Sequence, residues 1–163
     1  MPITVRRIQA DDVDLLRRVR LAALADTPSA FAKSYDEESG YPDEFWAERA
    51  RSNASGAAHT TFFAFDGEAC VGLVGGHAAV DGDHVDLVSM WTDPAARGTG
   101  VGAALVVAVL DWADGRAVEL WVTRGNDAAL RLYERCGFAE TGDHQPLPSD
   151  PCKDEIRMRH IGG

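Results

Sequence analysis

Between His84 and Thr123 the chain runs strand, glycine turn, long apolar helix, strand, and this succession limits the folds open to it. His84 to Thr92 has the apolar and β-branched character of a strand, and Pro94 ends it. Gly98, Gly100 and Gly102 follow at every second position and open a helix. Val101, Ala104, Leu105, Ala108 and Trp112 share one face of that helix, and Val106, Val107, Val109 and Leu110 extend the apolar surface nearly all round. A helix of this kind is expected to be deeply buried. Ala117 to Thr123 then alternates Val118, Leu120 and Val122 with Glu119 and Trp121, as a strand does. Two strands joined through a helix lie parallel in one sheet, with a right-handed crossover.

The elements around this unit follow from the same rules. Ile3 to Ile8 reads as a first strand, and Asp11 as the cap of a helix whose apolar face is Leu16, Val19 and Ala23. That helix should stop before Thr27-Pro28. Shorter helices fill Ser29 to Arg51, with Pro42 at a helix start and Phe45 and Trp46 on its inner face. Thr60 to Phe65, the Asp66-Gly67 turn and Cys70 to Val80 form a hairpin, and Asp81-Gly82-Asp83 turns the chain into the strand at His84. After Thr123, Asn126 caps a helix with Ala129, Leu132, Tyr133 and Cys136 inward, and Gly137 ends it. Phe138 to Thr141 and Glu155 to Ile161 are the last strands, with His144 to Asp150 as a loop between them. The sum is an α/β chain: one mixed sheet of six or seven strands, mostly antiparallel around a parallel central pair, with helices on both faces.

A length of 163 residues suits one domain with a real core. No apolar run approaches the ~20 residues of a membrane span, and the N-terminus lacks the apolar core of a signal peptide, so a cytoplasmic protein is expected. The net charge of −10 argues against nucleic acid or an acidic membrane as partner. Cys70, Cys136 and Cys152 have no metal-like spacing, nor do the five histidines, so no metal is expected and the thiols read as free.

In a globally acidic chain, an anionic ligand needs a local cradle, and the glycine turn is one. Backbone N–H groups at a helix N-terminus bind anions, and side chains would obstruct a phosphate there. The spacing Gly98, Gly100, Gly102 departs from the G-x-G-x-x-G of dinucleotide folds, and no Gly-Lys-Ser or Gly-Lys-Thr marks a P-loop. Arg97-Gly98-Thr99-Gly100-Val101-Gly102 resembles instead the acetyl-CoA loop of the GNAT N-acetyltransferase family, R/Q-x-x-G-x-G/A. Met90-Trp91-Thr92-Asp93-Pro94 is similar to the end of that family's fourth strand. Asn126-x-x-Ala129-x-x-Leu132-Tyr133-x-x-x-Gly137-Phe138 resembles its second signature, and the order of elements agrees along essentially the whole chain.

The resemblance implies the GNAT acyl-CoA N-acyltransferase fold and transfer of acetyl from acetyl-CoA to an amine-bearing acceptor, directly in a ternary complex. It implies that the amides of Gly98, Thr99, Gly100, Val101, Gly102 and Ala103 hold the CoA diphosphate, with Arg97 adding charge or standing in solvent. It places Met90, Trp91 and Thr92 beside the pantetheine arm, where the fourth and fifth strands splay. Asn126 caps its helix, bonds pantetheine, or does both. Tyr133 is either core packing or the acid that protonates the leaving thiolate. No base is assigned: some family members carry a glutamate where this chain has Trp121, and Glu119, Asp86, His77 or a water remain open. Phe31, Tyr35, Phe45 and Trp46, with Asp36, Glu37 and Glu38, either wall an acceptor pocket or form core and solvated surface, and the second reading is the expected one. His144 to Asp150 borders the acceptor mouth. The acceptor itself is not named by any segment. Exposed sheet edges leave a homodimer open, and a catalytically idle acyl-CoA sensor stands as the alternative function.

Overall fold

The computed structural model describes residues 2–28, 31, and 33–161. Its elements are β1 (Ile3–Arg7), α1 (Val13–Asp26), α2 (Tyr35–Ser39), α3 (Asp43–Asn53), β2 (His59–Asp66), β3 (Ala69–Ala78), β4 (His84–Thr92), a 3-10 turn (Pro94–Ala96), α4 (Val101–Ala113), β5 (Ala117–Thr123), α5 (Asp127–Arg135), β6 (Phe138–Leu147) and β7 (Asp150–His160). The strands form one seven-stranded sheet in the order β1-β2-β3-β4-β5-β7-β6. Only β4 and β5 pair in parallel, through His84, Val85 and Asp86 opposite Ala117, Val118 and Glu119. The mixed sheet with its parallel central pair is therefore the one expected from the helical crossover. No described helix is long and apolar enough to cross a membrane.

Two apolar layers hold the sheet between its helices. Ala64, Val74, Val85, Leu87, Val118 and Leu120 face α4 and α5, in a cluster with Leu105, Val109 and Tyr133. Phe63, Leu73 and Trp91 face the other way, among Leu16, Val19 and Leu24 of α1 and Trp46 of α3. Gly72 lets α4 settle on β3, because a Cβ there would lie 2.8 Å from the Trp91 carbonyl and 3.1 Å from Val101 and Leu105 side chains. Side chains of even one carbon would force that layer apart.

An irregularity in β4 matters most. Val85 and Leu87 point to the α4 layer, yet Trp91, of the same parity, points to the α1 layer. The register with β3 slips between Leu73↔Trp91 and Gly75↔Val88, and Ser89 sits at φ 59. One extra residue inverts the pleat, as a β-bulge does. Met90 thus packs on the α4 layer while the Trp91 indole donates to Asp26 Oδ2 at the end of α1 (3.0 Å).

Four expectations are corrected. Asp12, not Asp11, precedes α1, and its carboxylate takes the Gln9 N–H and the Arg6 guanidinium rather than capping α1. Helix α4 is not buried all round, since Val107 is half exposed and only one side meets the sheet. Phe45 turns outward while Trp46 alone is fully buried. His144 to Asp150 is mostly strand: β6 runs through Pro146 to Leu147 and pairs with β7 as far as Asp150, leaving Pro148 and Ser149 as the turn. As β6 is an edge strand, it has a free side on which Pro146 costs no ladder bond.

Candidate active site

After Asp86 and Glu119, strands β4 and β5 separate. β4 stays bonded to β3 as far as Thr92, and β5 to β7 as far as Thr123, so each keeps its outer neighbour while their facing edges open. The opening is a cleft of about 100 Å³, bounded by Ser89 and Met90 on one side and Trp121 and Thr123 on the other. It joins a groove of about 600 Å³ at the α4–α5 end to a chamber of about 840 Å³ beneath α2 and α3. Met90, Asn126, Ala129 and Leu132 line both the groove and the cleft. Leu87, Val88, Ser89, Trp121 and Glu155 line both the cleft and the chamber.

The groove brings together most of the residues marked by the two motifs. Met90, Trp91 and Thr92 of β4 line it, with Arg97, Gly98 and Gly100 of the turn. Val101, Gly102 and Ala103 contribute the first turn of α4, and Asn126 comes from the start of α5. Gly100 caps α4 at φ 91 with no side-chain hydrogen bond, which leaves the first helical amides to an outside acceptor. Gly98 is also left-handed, at φ 80.

Three residues differ in role from the simplest expectation, and Asn126 keeps the capping role read from the sequence. Arg97 lines the groove, but its guanidinium is held by Asp26 Oδ2 (2.6 Å) and donates to the Thr92 carbonyl (3.0 Å), so it braces the turn against α1. Thr99 is outside the groove lining, and its hydroxyl donates to the Ala96 carbonyl. Gly102 also serves packing, because a Cβ there would come within 2.8 Å of Leu132. Asn126 does cap α5, its Oδ1 accepting from Ala129 N (3.3 Å), which leaves its Nδ2 for the groove. Arg131 and Arg135, one helical turn apart on α5, add positive charge to the groove wall. Their i, i+4 spacing was the available signal.

Tyr133 lines the cleft rather than the groove and is 5% exposed. Burial raises its pKa well above that of a free phenol, so it stays protonated. The three candidate bases fare differently. Arg157 binds Glu119 at 2.6 Å and Asp86 at 3.0 Å and lies over the Trp121 ring, so both carboxylates are already engaged in ion pairs. His77 is on the chamber wall beside His59, Nδ1 to Nδ1 2.7 Å, and burial with the neighbouring His59 lowers its pKa to about 4. Glu155 was not singled out by sequence. It is 8% exposed, opposite Thr123 on β7, and lines both cleft and chamber. Gln145 Nε2 donates to it at 2.5 Å, and it has no ion pair among the described residues.

The first third of the chain is split between core and chamber. Trp46 is core, Phe31 and Phe45 line the chamber, and Tyr35 stays on the surface. Asp36 and Glu37 are solvated, but Glu38 is 1% exposed and takes a two-pronged contact from Arg20 (3.0 and 2.8 Å). Arg20 also donates to Ser89 Oγ (2.7 Å), tying the bulge to α1. The β6–β7 hairpin reaches the chamber rim, where Ser149 donates to the Phe31 carbonyl (2.6 Å). Among the described residues no group of three or more His, Cys, Asp or Glu is arranged to hold a metal ion.

Comparison with known proteins agrees with this fold. Residues 21–138 match the family model described as the acetyltransferase (GNAT) family, whose members use acetyl-CoA. The chain is 48% identical over 71 residues to the N-alpha-acetyltransferase RimI of Mycobacterium tuberculosis, covering 44% of this chain and 45% of the relative. It is 37% identical over 138 residues to a mycothiol acetyltransferase of Gordonia bronchialis, covering 79% and 40% respectively. The matched segment spans less than half the length of either relative. Among solved structures, a GNAT-family acetyltransferase from Streptococcus pneumoniae superposes with a TM-score of 0.83 at 20% identity, covering 99% of this chain and 100% of that one. The structure of yncA from Salmonella typhimurium with its cofactor acetyl-CoA gives 0.77 at 18%, covering 98% and 93%. The chain belongs to the acetyltransferase (GNAT) family.

Proposed function

We propose that this chain transfers the acetyl group of acetyl-CoA to a primary amine, by direct attack with both substrates bound. One observation carries the reading: the cleft between β4 and β5 connects groove and chamber, and a buried phenol and a buried carboxylate both line it. The groove suits CoA. Uncapped amides of Val101, Gly102 and Ala103, with Arg131 and Arg135 on the wall, match a diphosphate in charge and donor type. The open edge of β4 at Met90 to Thr92 offers backbone groups to the pantetheine amides, and Asn126 Nδ2 adds a donor.

Acetyl-CoA, when bound, supplies an activated acetyl group on a thiol leaving group. The protein's own residues do the rest. An N–H of the splayed β4 edge polarises the thioester carbonyl. Glu155, facing the chamber, takes a proton from the attacking amine. Tyr133, kept protonated by burial, delivers a proton to the departing sulfur. The acceptor enters from the chamber, so the two substrates meet without crossing.

Thiol release with acetyl-CoA and a panel of primary amines tests this. Turnover above buffer is expected. Acetyl-CoA binding in calorimetry without release for any amine would indicate an idle acyl-CoA sensor, and absence of binding up to millimolar concentration would remove the donor site.

A further inference from the structure

The acceptor chamber has a charge pattern that the transfer reaction alone does not require. Most charges on its wall already have partners: Arg20 with Glu38 at 2.8 Å, Lys33 with Glu37 at 3.0 Å, and Asp86 with Arg157 at 3.0 Å. Glu48 pairs with Arg51. Two charges are left over among the described residues. Arg49 comes no nearer than 3.7 Å to Glu38, whose two oxygens are already taken by Arg20, and its guanidinium donates no hydrogen bond to a described residue. Its side chain is only 23% exposed, and burial beside Arg20 lowers its pKa to about 10, so it is a cation short of compensation. Glu155 is the other, an acid without a cation. A half-buried arginine is a fork shaped for a planar anion.

We infer that the acceptor is a primary amine that also carries a carboxylate, the amine directed to Glu155 in the cleft and the carboxylate to Arg49 in the chamber. Phe31, Phe45, Leu87 and Trp121 line the same chamber and suit an apolar side chain in the molecule. This substrate class rests on the proposed acetyl transfer, because Glu155 is counted as its proton acceptor. A neutral or purely cationic amine would leave the Arg49 guanidinium desolvated with no hydrogen-bond acceptor among the described residues, which disfavours it.

The test uses matched probes: L-phenylalanine, L-phenylalaninamide and phenethylamine, and the corresponding leucine series. Binding is measured by calorimetry with unreactive CoA present, and kcat/KM by thiol release with acetyl-CoA. The free amino acids are expected to exceed their amides and decarboxylated amines by about 10–100-fold in both readouts. Arg49→Met should bring that ratio to about one, and Arg49→Lys should restore part of it. Retained circular dichroism and retained acetyl-CoA binding establish that the variants are folded. Equal or better use of the amines without a carboxylate would overturn the inference while leaving acetyl transfer standing. Carboxylate probes that bind through Arg49 but are never acetylated would support the recognition and remove the transfer reaction. No binding of either series at 10 mM (about the weakest affinity such a site can show) would overturn the inference, as would selectivity that survives Arg49→Met.

Discussion

Tyr133 and Glu155 are both buried on the same cleft, and burial raises the pKa of the phenol. The phenol is held in its proton-bearing form, ready to donate. Tyr133→Phe is therefore expected to lower kcat by about 100-fold while acetyl-CoA affinity changes little, measured by steady-state kinetics and calorimetry. An unchanged rate would return Tyr133 to the core. Glu155→Gln keeps the shape of the side chain and its contact with Gln145 but removes the proton acceptor, with an expected loss of the same order. Gly100→Val addresses the donor groove instead. At φ 91 a β-branched residue is strained, and its side chain would occupy the open space beside the turn, where a Cβ meets nothing within 4 Å. A folded variant that binds acetyl-CoA normally would place the diphosphate elsewhere.

Among the elements, β4 is the one that makes a site out of a sheet. Its bulge at Ser89 turns Met90 to the α4 layer and Trp91 to the α1 layer, and its separation from β5 opens the cleft. Arg20 of α1 holds the bulge through Ser89 Oγ and holds α2 through Glu38. Arg20→Met would strand the buried Glu38 carboxylate with Arg49 at 3.7 Å as its sole remaining cation. The expected loss is about 3–5 kcal/mol in chemical denaturation, partly recovered in Arg20→Met/Glu38→Leu, where no charge is left over in that pair. Gly72 belongs to the same element layer. Gly72→Ala sets a methyl 2.8 Å from a backbone carbonyl, which cannot swing away, so about 1–3 kcal/mol is expected to be lost.

For the whole molecule, the pH dependence of stability has a definite sign. His77 has a folded-state pKa of about 4, below its ordinary value near 6.5, so the unfolded chain binds a proton that the folded chain refuses. Stability is thus expected to decline as pH falls from about 6.5 to about 4. Asp12, bound by Arg6, and Asp26, bound by Trp91 and Thr27, have lowered pKa values and extend the loss below the ordinary carboxylate range. Urea midpoints at pH 7, 5.5 and 4.5 follow the first window, and His77→Gln should flatten it. A midpoint independent of pH across that window would mean that His77 is as accessible to protons as in the unfolded chain.

Local patterns in the sequence determined the order of elements, the parallel pair, the glycine turn and the cap at Asn126, because hydrophobic period and backbone conformation are properties of neighbouring residues. They also marked most of the groove beside α4 and α5, whose lining, Thr27 apart, lies in two short segments, 90–103 and 126–135. The bulge was hidden, since Val-Asp-Leu-Val-Ser-Met-Trp alternates acceptably with or without an extra residue. The extension of β6 through Pro146 was hidden as well, because only its place at the sheet edge makes that proline harmless. Which acid is left without an ion pair was decided by tertiary structure alone. Arg157 reaches 71 residues back to occupy Asp86 and 38 to occupy Glu119, and no local signal distinguishes these carboxylates from Glu155. Charge is written in the sequence, but whether a charge remains uncompensated depends on what the fold brings within about 4 Å of it.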